Sequence, residues 1–277
     1  MQFAEQVKTF LASQQIIFEE KNPLSTKSKF PFLYLAEYNL LLHCITVDAI
    51  LLNDIDSTYF SHLSNEANHK HIKLIHLWED VWQQQMQLIQ LRLLALLGKS
   101  TRIYARQTQI IRLDKKVTDD FLNTHHLQKT TNAYYKYGLY LKEELVAICT
   151  FSKSRVMLDG PVLYRSFELV RFANKSGTTV IGGLSKLVEH FIKQHHPAHI
   201  MTYADRDWSF GEGYKKLGFI FIENSSAQLF LVHPKEMIRH YAHRLPAKFL
   251  SIEEMQETGY IKIYNSGNAK FILDKRS

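Results

Sequence analysis

The sequence predicts a mixed α/β protein of two domains. Three observations carry that prediction. The chain has 277 residues, which at roughly 150 residues per domain makes two cores the natural division. Apolar residues recur with helical spacing in some stretches and strand character in others, and the two kinds alternate. Charge changes sign near residue 100: residues 1–100 hold 8 Lys plus Arg against 10 Asp plus Glu, for −2, whereas residues 101–277 hold 26 against 17, for +9. With 45% hydrophobic and 22% charged residues, the composition excludes collagen-like, coiled-coil and low-complexity architectures.

The first domain is expected to open with a helix over 3–11, where Phe3, Val7, Phe10 and Leu11 share one face. A polar loop over 22–29 follows, then two β-rich runs, 30–35 and 39–45, joined as a hairpin at Ala36, Glu37 and Tyr38. Residues 72–77 read as a strand. A helix over 80–97 carries Val81, Leu88, Leu91, Leu94 and Leu97 and stops at Gly98, so the boundary is expected at 98–100.

The second domain is expected to begin with a strand over 102–113 and a helix from Thr118, as N-cap, to 127. Strands over 135–140 and 145–153 form a hairpin, and 164–172 adds another. Gly182 and Gly183 then open a helix whose Leu184, Leu187, Val188, Phe191 and Ile192 make a buried stripe ending before Pro197. A strand over 200–204, a short helix over 213–217 and strands over 219–223 and 228–232 complete the order β α β β β α β α β β. The domains are therefore drawn as 1–100, 101–235 and a C-terminal extension, 236–277, packed on the second.

Two cysteines, Cys44 and Cys149, are too few for a disulfide framework and point to a reducing, cytoplasmic setting. Residues 1–10 lack the basic start and apolar core of a secretory signal. The most apolar stretches, 33–52 and 88–97, are interrupted by Glu37, His43, Asp48 and Arg92, so neither offers the roughly 20 clean residues of a membrane span. Fourteen histidines raise a metal reading, but His125–His126 and His195, His196 and His199 have no ligand spacing and no cysteine partners; no metal is expected.

Backbone N–H groups at a helix N-terminus, uncovered by side chains at Gly182 and Gly183, can cradle a pyrophosphate with the helix dipole favouring the negative charge. The same Gly-Gly pair is also ordinary turn chemistry. Together with the element order over about 102–232, this turn and the run Tyr214, Lys215, Lys216, Leu217, Gly218, Phe219 resemble the GNAT acyltransferase family. That family's usual phosphate run is Gln or Arg, two residues, Gly, one residue, then Gly or Ala; Thr179 and Leu184 hold the outer positions here. The resemblance implies acetyl-CoA or another acyl-CoA as cofactor. It places Ile181, Gly182, Gly183, Ser185 and Lys186 at the cofactor and makes Tyr214 the proton donor to the departing thiolate. Tyr214 could equally pack its short helix on the sheet. Asp205 and Asp207, at the carboxyl end of a strand where open sheets place their sites, are candidate bases for an incoming amine, or they pair with Arg206 and cap the next helix. Glu168 and Arg171 differ by three and are expected on opposite faces of their strand.

Glu5 on the opening helix, the hairpin over 32–44 and the run Ile72 to Trp82 resemble very-short-patch-repair-like nucleases of the PD-(D/E)xK group, which occur fused to GNAT-like domains in phage homing-endonuclease-like proteins. Glu254, Gly259, Tyr260, Ile263, Tyr264, Asn265 and Gly267 resemble that fused family's closing motif. The resemblance implies a restriction-endonuclease-like αβ domain ahead of a GNAT-like mixed sheet. The carboxylates that would hold Mg²⁺ fall at Phe32 and His43, and the lysine near Asn65, so the nuclease is read as degenerate and inactive. Two functions follow: an acyl-CoA-binding protein, an N-acyltransferase with an unidentified acceptor, or a non-catalytic nucleic-acid-binding protein. In the second, the basic 101–277 part grips phosphates while Trp208, Tyr134, Tyr135 or Tyr137 stack on bases; a third possibility joins these two, an enzyme that modifies a nucleobase.

Overall fold

The computed structural model describes residues 2–53, 55–246, 249 and 251–276. Two compact units emerge, each assembled from separated segments: unit 1 from residues 1–86, 204–211 and 223–269, unit 2 from 87–203, 212–222 and 270–277. This grouping differs from the sequential division at residues 100 and 235. Residues 223–269 group with the first segment of the chain, not with the second domain as the sequence reading had it.

In unit 1, α1 (Phe3–Ser13) buries Phe3, Val7, Phe10 and Leu11, the stripe its spacing predicts. Strands β1 (Phe32–Leu35) and β2 (Leu40–Ile45) form the expected antiparallel hairpin, Leu35 opposite Leu40, turned by a 3-10 segment at Ala36–Tyr38. Helices α2 (Val47–Leu52) and α3 (Tyr59–His69) are additions to the predicted elements. They supply the crossover that a parallel partner requires, and β3 (Lys73–Trp78) pairs with β2 in that sense. Helix α4 (Glu79–Leu96) begins against α1, where Trp82 meets Phe3 and Phe10 edge-on at 5.8 and 6.2 Å. It loses helical geometry at Gln85 (φ −141°, ψ 35°), next to the unit boundary.

Unit 2 follows. The predicted first strand divides into β4 (Thr101–Tyr104) and β5 (Gln109–Arg112), separated by a 3-10 turn at Ala105–Gln107. Helix α5 (Lys115–His125) starts four residues earlier than predicted: Asp114, not Thr118, is the N-cap, its carboxylate accepting from the Val117 N–H at 2.8 Å. Next come β6 (Tyr135–Leu141), β7 (Glu144–Phe151), β8 (Arg155–Asp159), β9 (Val162–Asn174) and β10 (Thr178–Ile181). Helix α6 (Gly183–His195) leads into β11 (His199–Asp205), α7 (Glu212–Lys215) and β12 (Ile220–Asn224).

After β12 the chain returns to unit 1, where β13 (Leu229–Val232) lies between β14 (Arg239–Tyr241) and β15 (Ile261–Tyr264), with α8 (Ile252–Glu257) in the connection. Phe230, Val232, Ile261 and Ile263 enter one core with Phe30, Ile45, Phe60 and Trp78, each fully buried apolar side chain contributing roughly 1.5–3 kcal/mol. Arg239 clasps Asp80 with two 2.8 Å bonds and lies over the Trp78 and Phe230 rings. The last strand, β16 (Asn268–Asp274), joins the large sheet, ordered β12-β16-β11-β9-β7-β6-β5 with β8 beside β9. The predicted closing strand over 228–232 is thus β13 of another sheet, and β16 takes its place. The core of the large sheet includes Phe151 stacked on Phe191 of α6 at 3.8 Å and, on the other face, Ile148 and Ala173 packed with Phe121 and Leu122 of α5.

Candidate active site

The glycine turn forms as expected. Gly182 caps α6 in the left-handed region (φ +76°), and the first helical residue, Gly183, is buried. A Cβ on Gly183 would stand 3.0 Å from Val180 and 3.3 Å from Leu139, so a side chain there would press on both as well as cover the backbone. By helix geometry the N–H groups of the first turn have no intrahelical acceptor and face outward as anion donors. Half-exposed Ile181 ends β10, which pairs in parallel with β4 just before the turn. Ser185 bonds Glu189 of its own helix at 2.9 Å. Lys186, expected at the phosphates, directs its ammonium to the carbonyls of Ala105 (2.8 Å) and Thr108. It ties the 3-10 turn to α6.

Strands β9 and β11 run parallel, with a ladder from Ser166–His199 to Leu169–Thr202. Among the described residues the pairing ends there, although β9 continues to Asn174. On its other side, β9 carries one extra residue against β7: Thr150 opposes Arg171 and Phe151 opposes Leu169, leaving Val170 as a bulge. A bulge bends its strand and breaks pairing locally, here where the parallel strands part. The carboxyl ends of parallel strands that part form a crevice, the position at which open α/β sheets bind ligands.

Tyr214 of α7 meets this place. Its ring lies 5.7 Å from Phe219 and 5.8 Å from Phe271, and its hydroxyl bonds the Thr202 side chain at the last ladder step. The Thr202 hydroxyl in turn donates to the Leu169 carbonyl at 3.0 Å. Loss of water pushes the Tyr214 phenol above its ordinary value of 10, outweighing the Thr202 bond and the pull of Arg92 and Arg171. The phenol is therefore protonated at neutral pH. Cys149 lies close enough to act on it electrostatically, and burial pushes that thiol upward too.

Asp205 and Asp207 belong to unit 1, Tyr214 to unit 2. Asp207 is buried, and its carboxylate accepts from the Trp78 indole at 2.9 Å and from the Ser266 N–H and hydroxyl. These bonds hold the carboxylate within the unit 1 core, where it clasps Trp78 to Ser266. Buried Arg206 beside it donates to the Ser266 and Ser61 carbonyls and to Asn65. Asp205 accepts from the Asp207 N–H at 3.0 Å, closing the turn that presents both.

Phe32 and His43, where a nuclease would place carboxylates, are cross-strand partners whose rings stack at 4.3 Å. His43 shares a 3.0 Å Nδ1–Nδ1 contact with His76, and the outer nitrogens meet Ser28 at 2.8 Å and Ser64 at 3.0 Å. Among the described residues no group of three or more His, Cys, Asp or Glu is placed to hold a metal, and no helix is long and apolar enough to cross a membrane.

The parity argument for Glu168 and Arg171 is overturned by the bulge. Leu169 shares a face with Phe151, and Arg171 shares the opposite face with Thr150, so Glu168, preceding Leu169, lies on the Arg171 face. Thr150, Val170 and Thr202 were not singled out by sequence reading. Thr150 and Thr202 are hydroxyls in otherwise apolar runs, which is their only signal; a bulge has none.

No protein-family model and no curated protein matches this sequence. Solved structures do. An acetyltransferase of Bacillus subtilis in complex with CoA is 16% identical, with a TM-score of 0.33 over 60% of this chain and 98% of its own. A GNAT family acetyltransferase of Elizabethkingia anophelis with acetyl-CoA bound is 12% identical, with a TM-score of 0.34 over 61% and 98%. The ribosomal-protein-S18-alanine N-acetyltransferase of Escherichia coli is 12% identical, with a TM-score of 0.35 over 60% and 93%.

Proposed function

We propose that unit 2 binds an acyl-CoA and transfers its acyl group to an amine, with Tyr214 as proton donor. The observation that carries this reading is a protonated, desolvated phenol held by Thr202 at the step where β9 and β11 part beside the Val170 bulge. Ile181, Gly182, Gly183 and Ser185 would receive the pyrophosphate: the left-handed Gly182 and the side-chain-free Gly183 leave the first-turn N–H groups approachable. Acyl-CoA supplies an activated thioester. The amine nitrogen forms the new C–N bond, the C–S bond breaks, and the Tyr214 hydroxyl gives its proton to the sulfur as negative charge develops there. The surplus amine proton restores the phenol through solvent. Such proton transfer is typically worth a factor of 10² to 10⁴.

Asp207 has no part in this scheme, and no chemistry is assigned to unit 1. Calorimetry of the full chain with acetyl-CoA tests the reading. Saturable one-to-one binding that weakens in Gly182→Ala, a position with φ +76° that disfavours a Cβ, is expected. Absence of binding by the wild type would remove it.

A further inference from the structure

The α5 face of the large sheet carries a polar cluster that the acyl-CoA reading leaves unused. Ile148 and Ala173 pack on α5, and one pleat further along the same face stand their neighbours Thr150 and Arg171. The register extends the row to Lys136 of β6, which pairs with Thr150. Along the ladder Thr150 thus lies between two basic residues. Its hydroxyl is 1% exposed as a residue, and among the described residues it is the buried side-chain polar atom without a hydrogen-bond partner. An unpaired buried hydroxyl costs roughly 1–3 kcal/mol, a cost that a polar group reaching it would offset.

The segment after α5 lies against this row. The Lys129 carbonyl accepts from Arg171 Nε at 3.5 Å, and the Ala133 carbonyl accepts from Lys136 Nζ at 2.6 Å. His126 accepts the Gln128 N–H on Nδ1 at 3.1 Å, and burial with Arg171 and Arg92 lowers its pKa to about 3, so its ring stays neutral beside the cations. Negative charge comes from Glu168, two ladder steps from Thr150 on the same face, whose N–H bonds Ser152 Oγ at 2.9 Å. Asp119 is close enough to Lys136 to feel its charge, and is engaged by Lys115 and Thr130. Two basic residues on either side of an unpaired hydroxyl, with one acidic residue on the same face, complement a small zwitterion.

We propose that Lys136, Thr150 and Arg171 bind an anionic group, carboxylate or phosphate, on the acyl acceptor, whose ammonium lies toward Glu168. The acceptor is accordingly a small amino compound carrying its own anion. This rests on the acyl-transfer reading for its meaning but not for its test. The full chain, with and without saturating CoA, is titrated with β-alanine, phosphoethanolamine and ethanolamine by ligand-observed NMR. At least one anionic probe is expected to bind about tenfold or more tighter than ethanolamine, as charge-assisted bonds to guanidinium imply; which one does so separates carboxylate from phosphate. Arg171→Gln should abolish the preference, and Thr150→Val should weaken it about threefold or more, with acetyl-CoA affinity unchanged. If Arg171→Gln does not fold, Lys136→Met tests the same row. Equal binding of ethanolamine, or retention of the preference in both variants, overturns the proposal. So does a single-stranded oligonucleotide that displaces the probes through the same residues and binds more tightly than any of them. Probe discrimination without acetyl-CoA binding would remove the acyl-transfer reading and leave the subsite standing.

Discussion

Asp207 and Gly183 show chemistry being decided by surroundings that a residue's type does not reveal. An aspartate at the end of a parallel strand reads as a base, yet Asp207 receives Trp78 and Ser266 inside the unit 1 core. Replacing it with Asn leaves one of those buried donors facing an amide N–H₂, so Asp207→Asn should lower unfolding stability by about 2 kcal/mol, read by urea titration; an unchanged midpoint would contradict the clasp role. Gly183 reads in the sequence as bare backbone for a phosphate or as ordinary turn chemistry. With Val180 and Leu139 at 3.0 and 3.3 Å from a Cβ, Gly183→Val should overpack the core and cost about 1–3 kcal/mol. Calorimetric melting of the variant checks this, and an unchanged melting temperature would contradict it. Tyr214, by contrast, stands out in the sequence through the resemblance of its run to the acyltransferase family, and its hydroxyl bonds Thr202 at the last step of the β9–β11 ladder.

Among the elements, helices with an apolar stripe and hairpins with a short turn were the parts the sequence disclosed, because local spacing alone specifies them: α1, the β1–β2 hairpin, α6 and the β6–β7 hairpin stand within a few residues of their predicted places. What escaped depends on partners far along the chain. Residues 101–112 have one continuous strand-like pattern, but β4 pairs with β10 and β5 with β6, and only that change of partner breaks the run at Ala105. Likewise β13 and β16 are both apolar strands after α7, and nothing local says which closes the large sheet. The bulge at Val170 reversed the parity inferred for Glu168 and Arg171, since a period-2 argument fails once an extra residue enters. Lys186 links two of these elements. Lys186→Met should therefore reduce stability, by about 1–3 kcal/mol, while leaving acetyl-CoA affinity near wild type; a loss of affinity with unchanged stability would restore it to the phosphate site.

Over the whole molecule, the folded units separate charge more sharply than the sequence halves do. Unit 2 holds 22 Lys plus Arg against 10 Asp plus Glu, for +12, and unit 1 holds 12 against 17, for −5. The positive field favours anionic ligands at unit 2, in keeping with both a nucleotide cofactor and an anionic acceptor. Unit 1 carries its own acid sensitivity. His43 and His76 are buried and their pKa values are lowered, chiefly by loss of water; that of His76 falls to about 4 as Arg206 opposes and Asp207 favours its charge. The native rings bind protons less readily than those of the unfolded chain, whose value is near 6.5. Their contribution to stability is therefore complete above pH 6.5 and is lost as pH falls toward 4. Melting temperature should drop through that window, and less so in His76→Gln; a flat profile between pH 7 and 4.5 would contradict the buried neutral pair.

The central claim is tested most directly by Tyr214→Phe, which keeps the ring against Phe219 and Phe271 and removes only the hydroxyl. Acetyl-CoA turnover, measured as free thiol released with β-alanine or phosphoethanolamine as acceptor, should fall by about 10² or more, with acetyl-CoA affinity and melting temperature close to wild type. Turnover retained alongside a loss of roughly 1 kcal/mol of stability would make Tyr214 a packing residue and contradict the account.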